Sequence, residues 1–285
     1  MKRKIITWFI LGLGIMGLAV FGGKWIYEHS KYVCFENKAL ESITSGSADW
    51  REFYTMEVDR LTKEQAGEIT EIYLESLYGE EAESMQTPEL AKIESFDDLL
   101  NFPNVEYIKL GSGSTYEAKG AEVREDYLEW FPVDEDAAYP QALAQVLGKL
   151  EKLEWVQIKS DLVFEDLQMV SKCTKLNHLE ICQNQLKSLN GIADMEIIFA
   201  EFSENSLEDI SALEDAKSIR YLILNENSID NYDALLNVDG LKAVSFDMEN
   251  ENAKQVAEAL KKKGCMATEN VSDVYERYWA ESEEN

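Results

Sequence analysis

One short pattern of apolar residues returns three times between Leu176 and Leu235, and it constrains the fold more than any other feature of the sequence. The three copies begin at Leu176, Ile197 and Ile219, so their spacing is 21 and then 22 residues. Such a period is too long for one helix or one strand. It is typical of repeated structural units that stack on one another.

The pattern also predicts what each unit looks like. Positions one, four and six of each copy are apolar, and positions four and six have the strand spacing at which side chains point the same way. One coil cannot cover this apolar edge alone, so coils are expected to stack and to bury the edge between them. Position nine is Asn in every copy, where an amide would satisfy backbone groups of the turn that leaves the strand. These residues are Asn184, Asn205 and Asn227.

The pattern resembles that of the leucine-rich repeat family, in the short 22-residue form found in bacterial internalin-like proteins. The resemblance implies an α/β solenoid with parallel strands on a concave face and a helical or irregular convex side. Weaker copies begin at Val105, Leu153 and Leu241. We therefore expect the solenoid to span residues 96–250, with an insertion over residues 111–150.

The first 30 residues predict a membrane anchor. A basic start, Lys-Arg-Lys at residues 2–4, precedes an uncharged run over residues 5–23, which is about the length that crosses a hydrocarbon core. Basic residues before the span predict a cytoplasmic N-terminus and an extracytoplasmic location for the rest of a single-pass protein. The alternative is a signal peptide cleaved after Ala19, which would leave a secreted protein.

The regions on either side of the solenoid carry helical signals. Residues 31–60 predict a stalk with a weak strand at residues 53–58, and residues 61–95 predict a small helical subdomain. In that subdomain Thr62 and Gln65 form a capping-box pattern, and apolar residues continue at helical spacing as far as Leu77. Residues 251–285 predict a C-terminal cap, in which one helix ends near Gly264 and an aromatic tail packs back as a short second helix.

The charge of the chain narrows the choice of partners. There are 55 Asp and Glu residues against 27 Lys and Arg residues, and the net charge is −28. Long-range repulsion of this kind disfavours nucleic acid and anionic lipid surfaces. It favours a basic protein as partner, although the need for solubility would explain the same charge.

Nothing in the sequence indicates catalysis, a metal site or a cofactor. His178 and Cys182 would lie roughly 13 Å apart along a strand, which is too far for a nucleophile and its base. The four cysteines lack the spacing of a zinc site. Cys173 and Cys182 flank a near-extended segment that is too long to bridge, so free thiols are expected. The chain is therefore not expected to be an enzyme, and an unrecognised site within residues 50–150 is the alternative.

The remaining candidate site is a surface. Side chains at positions three and five of each copy should point away from the apolar interior onto the concave face. Position three carries a ring in five successive strands, and position five carries an acid in two of them. The candidate protein-binding residues are Tyr107, Trp155, His178, Glu180, Phe199, Glu201 and Tyr221.

Exposed aromatic rows rimmed by acids are typical of protein recognition. The alternative is that the insertion or the neighbouring rings cover the row as ordinary packing between strands. The sequence predicts a membrane-anchored module that binds a protein or peptide, basic or not, through its concave face. Two other roles stay open: an inhibitor or immunity-type protein that masks a basic partner, and a structural role at the cell envelope.

Overall fold

The structure, a computed structural model, describes residues 31–35, 61–74, 95–111, 139–159 and 163–282. The predicted anchor at residues 1–30, the weak strand at residues 53–58 and residues 112–138 of the insertion lie outside the described residues. Within the described ranges, no helix is both long enough and apolar enough to cross a membrane.

Short parallel strands, one per coil, form a sheet in which each strand pairs with the next coil's strand. The eight strands of this sheet in the described residues are β1 (Glu71–Leu74), β2 (Tyr107–Gly111), β3 (Trp155–Lys159), β5 (His178–Ile181), β7 (Phe199–Glu201), β8 (Tyr221–Ile223), β9 (Ala243–Ser245) and β10 (Met266–Thr268). Two further strands, β4 (Val163–Phe164) and β6 (Gln185–Leu186), form a separate pair. This order is that of a solenoid, because each coil contributes one strand and contacts mainly its neighbours.

The register between strands is the one that the repeat predicts. Trp155 pairs with His178, His178 with Phe199, and Phe199 with Tyr221. The apolar positions one, four and six of the first clear copy, Leu176, Leu179 and Ile181, are all buried. The strand side chains therefore alternate between the interior of the solenoid and its concave face.

The asparagine at position nine bonds backbone groups of the turn, as predicted, and it also links consecutive coils. In the second clear copy, the amide oxygen of Asn205 accepts a hydrogen bond from the Leu186 backbone N–H at 3.0 Å. Its amide nitrogen donates to the carbonyl oxygens of Ile181 and Ser203 at 2.6 Å and 3.0 Å. The residue before it, Glu204, has a φ of 53°, so the backbone turns sharply there and leaves groups that strand pairing cannot satisfy.

The convex side is formed by short helical pieces, as the resemblance implied. Single turns of 3-10 helix occupy Asp97–Asn101, Ile192–Asp194, Ser211–Asp215 and Asp233–Asn237. In one coil a longer helix, α2 (Tyr139–Leu147), takes this place and buries Leu143, Val146 and Leu147.

The expected N-terminal helix is shorter than predicted. α1 (Lys63–Glu68) begins with the predicted capping box, in which the Thr62 hydroxyl accepts from the Gln65 backbone N–H. It ends at Glu68, and Ile72 lies in β1, paired with Ile108 of β2. The extension of this helix to Leu77 is wrong, because the apolar residue at 72 completes the sheet instead of a helical stripe. Val33, from the predicted stalk, is also buried and donates its backbone N–H to the Leu61 carbonyl.

The C-terminal end is closed by a helix and a strand. α3 (Glu251–Lys262) starts at Asn250, whose side chain accepts from the Ala253 backbone N–H, and it packs against the last convex turn and β10. Gly264, with a φ of +87°, lets the chain leave this helix and enter β10. A last helix, α4 (Val271–Ser282), then turns back over the sheet and contacts β8 and β9.

The four cysteines are free, as expected. Cys173, Cys182 and Cys265 are buried, and Cys34 is exposed. Burial raises the pKa of the Cys173 thiol to about 12 and that of the Cys265 thiol to about 11, so both stay protonated and unreactive at neutral pH.

Candidate protein-binding face

The rings at position three stand in one continuous row on the concave face, which we call the aromatic row: Tyr107, Trp155, His178, Phe199 and Tyr221. Trp155 and His178 stack with their ring centroids 3.7 Å apart, and His178 and Phe199 stack at 4.4 Å. Tyr107 meets the edge of Trp155 at 5.0 Å. The predicted juxtaposition of these side chains is confirmed, because in-register parallel pairing repeats each position every coil.

The expected exposure of this row is wrong for most of its length. The exposed fractions of His178, Phe199 and Tyr221 are 1%, 0% and 3%. Glu180 and Glu201, at position five, are also buried, whereas Tyr107 and Trp155 are half-buried. The physical reason is that α4 covers the row, so these side chains lie in an apolar interface and not in water.

α4 meets the row mainly through rings. The Tyr278 ring lies 4.8 Å from Phe199 and 5.2 Å from Tyr221, measured between centroids. The Tyr275 ring lies 4.9 Å from Phe199. Val274 is fully buried in the same apolar cluster as Phe199 and Tyr221. This second cluster is separate from the interior of the solenoid, so the sheet is covered by apolar side chains on both faces.

Polar groups on α4 satisfy polar groups of the sheet. The Tyr275 hydroxyl donates to the Glu201 carboxylate, and the Tyr278 hydroxyl lies 3.3 Å from Nδ1 of His178. At the far end of the helix, Glu281 accepts from the Tyr221 hydroxyl at 2.8 Å and pairs with Lys242. The hydrogen bonds from Lys242 and Tyr221 lower the pKa of Glu281 to about 2.

A chain of hydrogen bonds runs under the helix along position five. Nε2 of His178 lies 2.6 Å from Oε1 of Glu180, and the Gln157 side-chain amide donates to the other Glu180 oxygen at 2.5 Å. The Tyr107 hydroxyl in turn donates to Gln157 at 3.1 Å.

Burial decides the protonation of His178 in this chain of bonds. Burial lowers the pKa of His178, and the hydrogen bond and charge of Glu180 only partly oppose that effect. The neutral imidazole therefore donates from Nε2 to Glu180 and accepts at Nδ1 from the Tyr278 hydroxyl.

Glu201 is the second buried acid, and it accepts one hydrogen bond from Ser203 within the sheet and one from Tyr275 of α4. Burial raises its pKa, and the neighbouring Glu180 adds to the rise, while hydrogen bonds from Ser203 and Tyr275 oppose it. Burial also raises the pKa of Tyr275, so its hydroxyl keeps the proton that it donates. The acid and the hydroxyl are thus matched as acceptor and donor across the interface.

The row is less completely covered at its N-terminal end. Trp279 of α4 lies 5.9 Å from Trp155 between ring centroids and is itself 43% exposed. Nε1 of Trp155 is buried and finds no hydrogen-bond acceptor in the part of the chain that the structure describes. A buried donor without a partner is costly, so this end of the face is incompletely satisfied.

Searches with protein-family models and among curated proteins found no match. Among solved structures, the chain is similar to an internalin (inlF) from Listeria monocytogenes, with 16% identity over 82% of this chain and 68% of that one and a TM-score of 0.42. It is also similar to an internalin C2 (inlC2) from the same species, with 14% identity over 72% of this chain and 92% of that one and a TM-score of 0.40.

The repeat spacing, the parallel in-register strands and the asparagine at position nine together define the architecture. The fold is a solenoid of stacked coils with one parallel strand in each, as the resemblance to leucine-rich repeat proteins implied.

The sequence also contained a signal, outside the repeats, for the helix that covers the concave face. Val274, Tyr275, Tyr278 and Trp279 recur at helical spacing, which predicted a helix that packs back. Spacing alone does not say where the helix packs. The match between a second ring-bearing stripe and the aromatic row was the available clue.

In the described residues, no group of three or more His, Cys, Asp or Glu side chains is placed to hold a metal ion.

Proposed function

We propose that this chain is a protein-binding module whose concave face recognises a protein or peptide, and that an N-terminal anchor holds it on the outer side of a cell membrane. The observation that carries the proposal is the contact between the aromatic row and α4. That contact has the features of a recognition interface: packed rings at its centre, a buried acid matched to a hydroxyl donor, and a charged pair at its edge.

The half-buried end of the row provides the test. Trp155 lies at this end, and tryptophan is among the residues that contribute most to binding energy at interfaces. We expect Trp155→Ala in the full chain to reduce capture of the partner from envelope and secreted proteins about tenfold or more. Leu100→Ala is the matched control, because Leu100 is 38% exposed and lies in a convex turn, away from the row. Equal capture by the folded Trp155→Ala variant and the wild type would contradict the proposal.

The membrane location is supported by the sequence alone. The basic start and the uncharged run at residues 5–23 favour an anchor with the solenoid outside. Membrane fractionation should recover the chain with the membrane, and protease added to intact cells should degrade the solenoid. Recovery of a shortened chain in the medium would instead support cleavage of a signal peptide.

An inhibitor or immunity-type role is the second candidate, favoured by the charge distribution. The net charge is −28, and a cleft beside the three coils that begin at Ile197, Ile219 and Leu241 is lined by six acids: Glu208, Asp209, Glu226, Asp230, Asp247 and Glu249. Such a surface attracts a basic protein through interactions that salt screens. In this role the chain should capture one basic partner, and the association rate should fall steeply between low and high salt.

A further inference from the structure

α4 is not needed to close the end of the solenoid. An end coil must hide its last apolar surface, and here α3 and β10 already do so. α3 buries Ala253, Val256 and Leu260 against the last coil, and β10 continues the sheet beside β9. The helix that follows covers the concave face instead, which is the face that we propose for recognition.

α4 is joined to the rest of the chain in the way that a tethered ligand is. Only Glu269 and Asn270 separate it from β10, and its first turn is held by short-range bonds from Thr268 and Asn270 to Asp273. Beyond this turn its contacts with the sheet are made by side chains alone, and Val274 is its one fully buried residue. Such an element can leave the sheet without breaking a strand pairing.

The face beneath α4 is built for an occupant with particular chemistry. Glu201 and His178 are buried, and each takes a hydroxyl from α4, the first from Tyr275 and the second from Tyr278. Without an occupant these groups and the rings of the row would face a bare groove. The occupant must therefore bring two donors about one helical turn apart, flanked by apolar residues.

α4 meets these requirements incompletely. It covers the row from Tyr221 to His178. Among the described residues, however, the Trp155 indole N–H has no acceptor, and Trp279 is 43% exposed. A longer helix on the same path would cover Trp155 and could supply an acceptor to its Nε1.

We propose that α4 is a displaceable internal ligand, and that the partner of the concave face is an amphipathic helix with aromatic residues at the spacing of Tyr275, Tyr278 and Trp279. This inference rests on the proposed function and specifies its partner. While docked, α4 competes with the partner as an intramolecular ligand of high effective concentration. A partner binds by replacing the rings and hydroxyls of α4 with its own.

The test uses a labelled synthetic peptide with the sequence of residues 269–285 as the probe and the full chain as the receptor. Val274→Asp in the chain places a charge in the apolar cluster and undocks the internal helix, whereas the peptide keeps Val274. We expect the peptide to bind this variant about tenfold or more tightly than the wild type, because the internal competitor is gone. Phe199→Ala added to the variant should abolish binding, and a peptide with Tyr278→Ala should bind neither chain.

Circular dichroism and the unfolding midpoint establish that the solenoid is folded in each variant. Glu281→Lys is a second way to weaken docking if Val274→Asp does not fold, since it sets two positive charges together at Lys242 and leaves every buried residue unchanged. A folded, undocked chain that does not bind the peptide would overturn the inference. A dimer that exchanges α4 between two copies, seen by light scattering, would also overturn it, because the occupant would then be a second copy.

The two proposals fail separately. Capture of a protein that depends on Trp155, without peptide binding, would leave the binding module standing and remove the helical partner. Peptide binding without any captured protein would support the displaceable helix and count against the module.

Discussion

At the residue scale, the asparagine at position nine bonds backbone groups both of its own turn and of the preceding coil. The Asn205 amide satisfies one N–H and three carbonyl groups of two coils. Asn205→Ala leaves these groups without their side-chain partner in a part-buried turn. We expect the free energy of unfolding to fall by about 2–3 kcal/mol, measured by denaturant unfolding.

Asn190→Ala is the matched control for this prediction. Asn190 lies on the exposed side of a turn, so its substitution should change the free energy of unfolding by less than about 0.5 kcal/mol. An equal effect at both positions would contradict a special role for position nine.

Glu201 gives the protein a pH dependence of opposite sign to that of a paired surface acid. Its pKa is raised in the folded chain, so the folded chain binds this proton more tightly than the unfolded chain does. Its contribution to stability is therefore present below the unfolded pKa, about 4.3, and is lost as the pH rises through the raised folded pKa. Glu201→Gln removes this loss while keeping an acceptor for the Tyr275 hydroxyl.

We expect the stability of Glu201→Gln relative to the wild type to increase as the pH is raised from about 5 to about 8. Denaturant unfolding at several pH values measures this difference, and the contribution of His178 is present in both proteins. Glu208→Gln, at an exposed position of the same coil, should show no such trend. A relative stability of Glu201→Gln that does not change with pH would show that Glu201 does not titrate in a buried state.

At the scale of elements, Tyr278 makes several of the contacts that dock α4 on the sheet. Tyr278 contacts His178, Phe199 and Tyr221 through its ring and His178 through its hydroxyl. Because the ring is half-buried, Tyr278→Ala should lower the free energy of docking by about 2 kcal/mol. Trypsin should then cleave after Arg277 at least about tenfold faster than in the wild type.

Cleavage at Lys254 in α3 is the internal reference for that measurement, because α3 belongs to the end cap and should be unaffected. Glu276→Ala, on the exposed side of α4, is the matched variant and should leave the rate at Arg277 unchanged. Equal acceleration at Lys254 and Arg277 would mean that Tyr278 supports the whole fold and not the docking of one helix.

The strands that the sequence predicted in the described residues are those whose signal repeats. Seven apolar and asparagine positions recur every 21 to 23 residues, so each copy confirms the strand and turn of the others. β1 was missed because Ile72 and Tyr73 fit helical spacing as well as strand spacing, and only pairing with β2 separates the two. β10 was missed because three residues, Met266–Thr268, carry too short a pattern.

The sequence predicted which residues form the aromatic row but not that most of them are buried. Register follows from the repeat, so the neighbours within the aromatic row could be read from the sequence. Its burial depends on where α4 packs, and that contact joins residues 60 to 100 positions apart, such as Tyr221 with Glu281 and His178 with Tyr278. No local pattern encodes a contact of that range.

At the scale of the whole molecule, the chain combines a rigid solenoid with a helix that covers its concave face. Each coil is held by neighbours on both sides, whereas α4 is held by one face and a two-residue connection. The free energy of local opening should therefore be lower for α4 than for the coils, because elements with fewer buried contacts open without global unfolding. The central claim is that α4 opens while the sheet beneath it stays intact.

Native-state hydrogen exchange of the full chain tests this claim most directly. The account predicts that amides of residues 274–282 exchange through an opening whose free energy lies well below that of the β7 and β8 amides. It also predicts that Val274→Asp removes protection from α4 while the protection of the β5 amides persists. If the α4 amides exchange only with the same free energy as those of β7 and β8, the helix is a permanent part of the core and cannot be a displaceable ligand of the concave face.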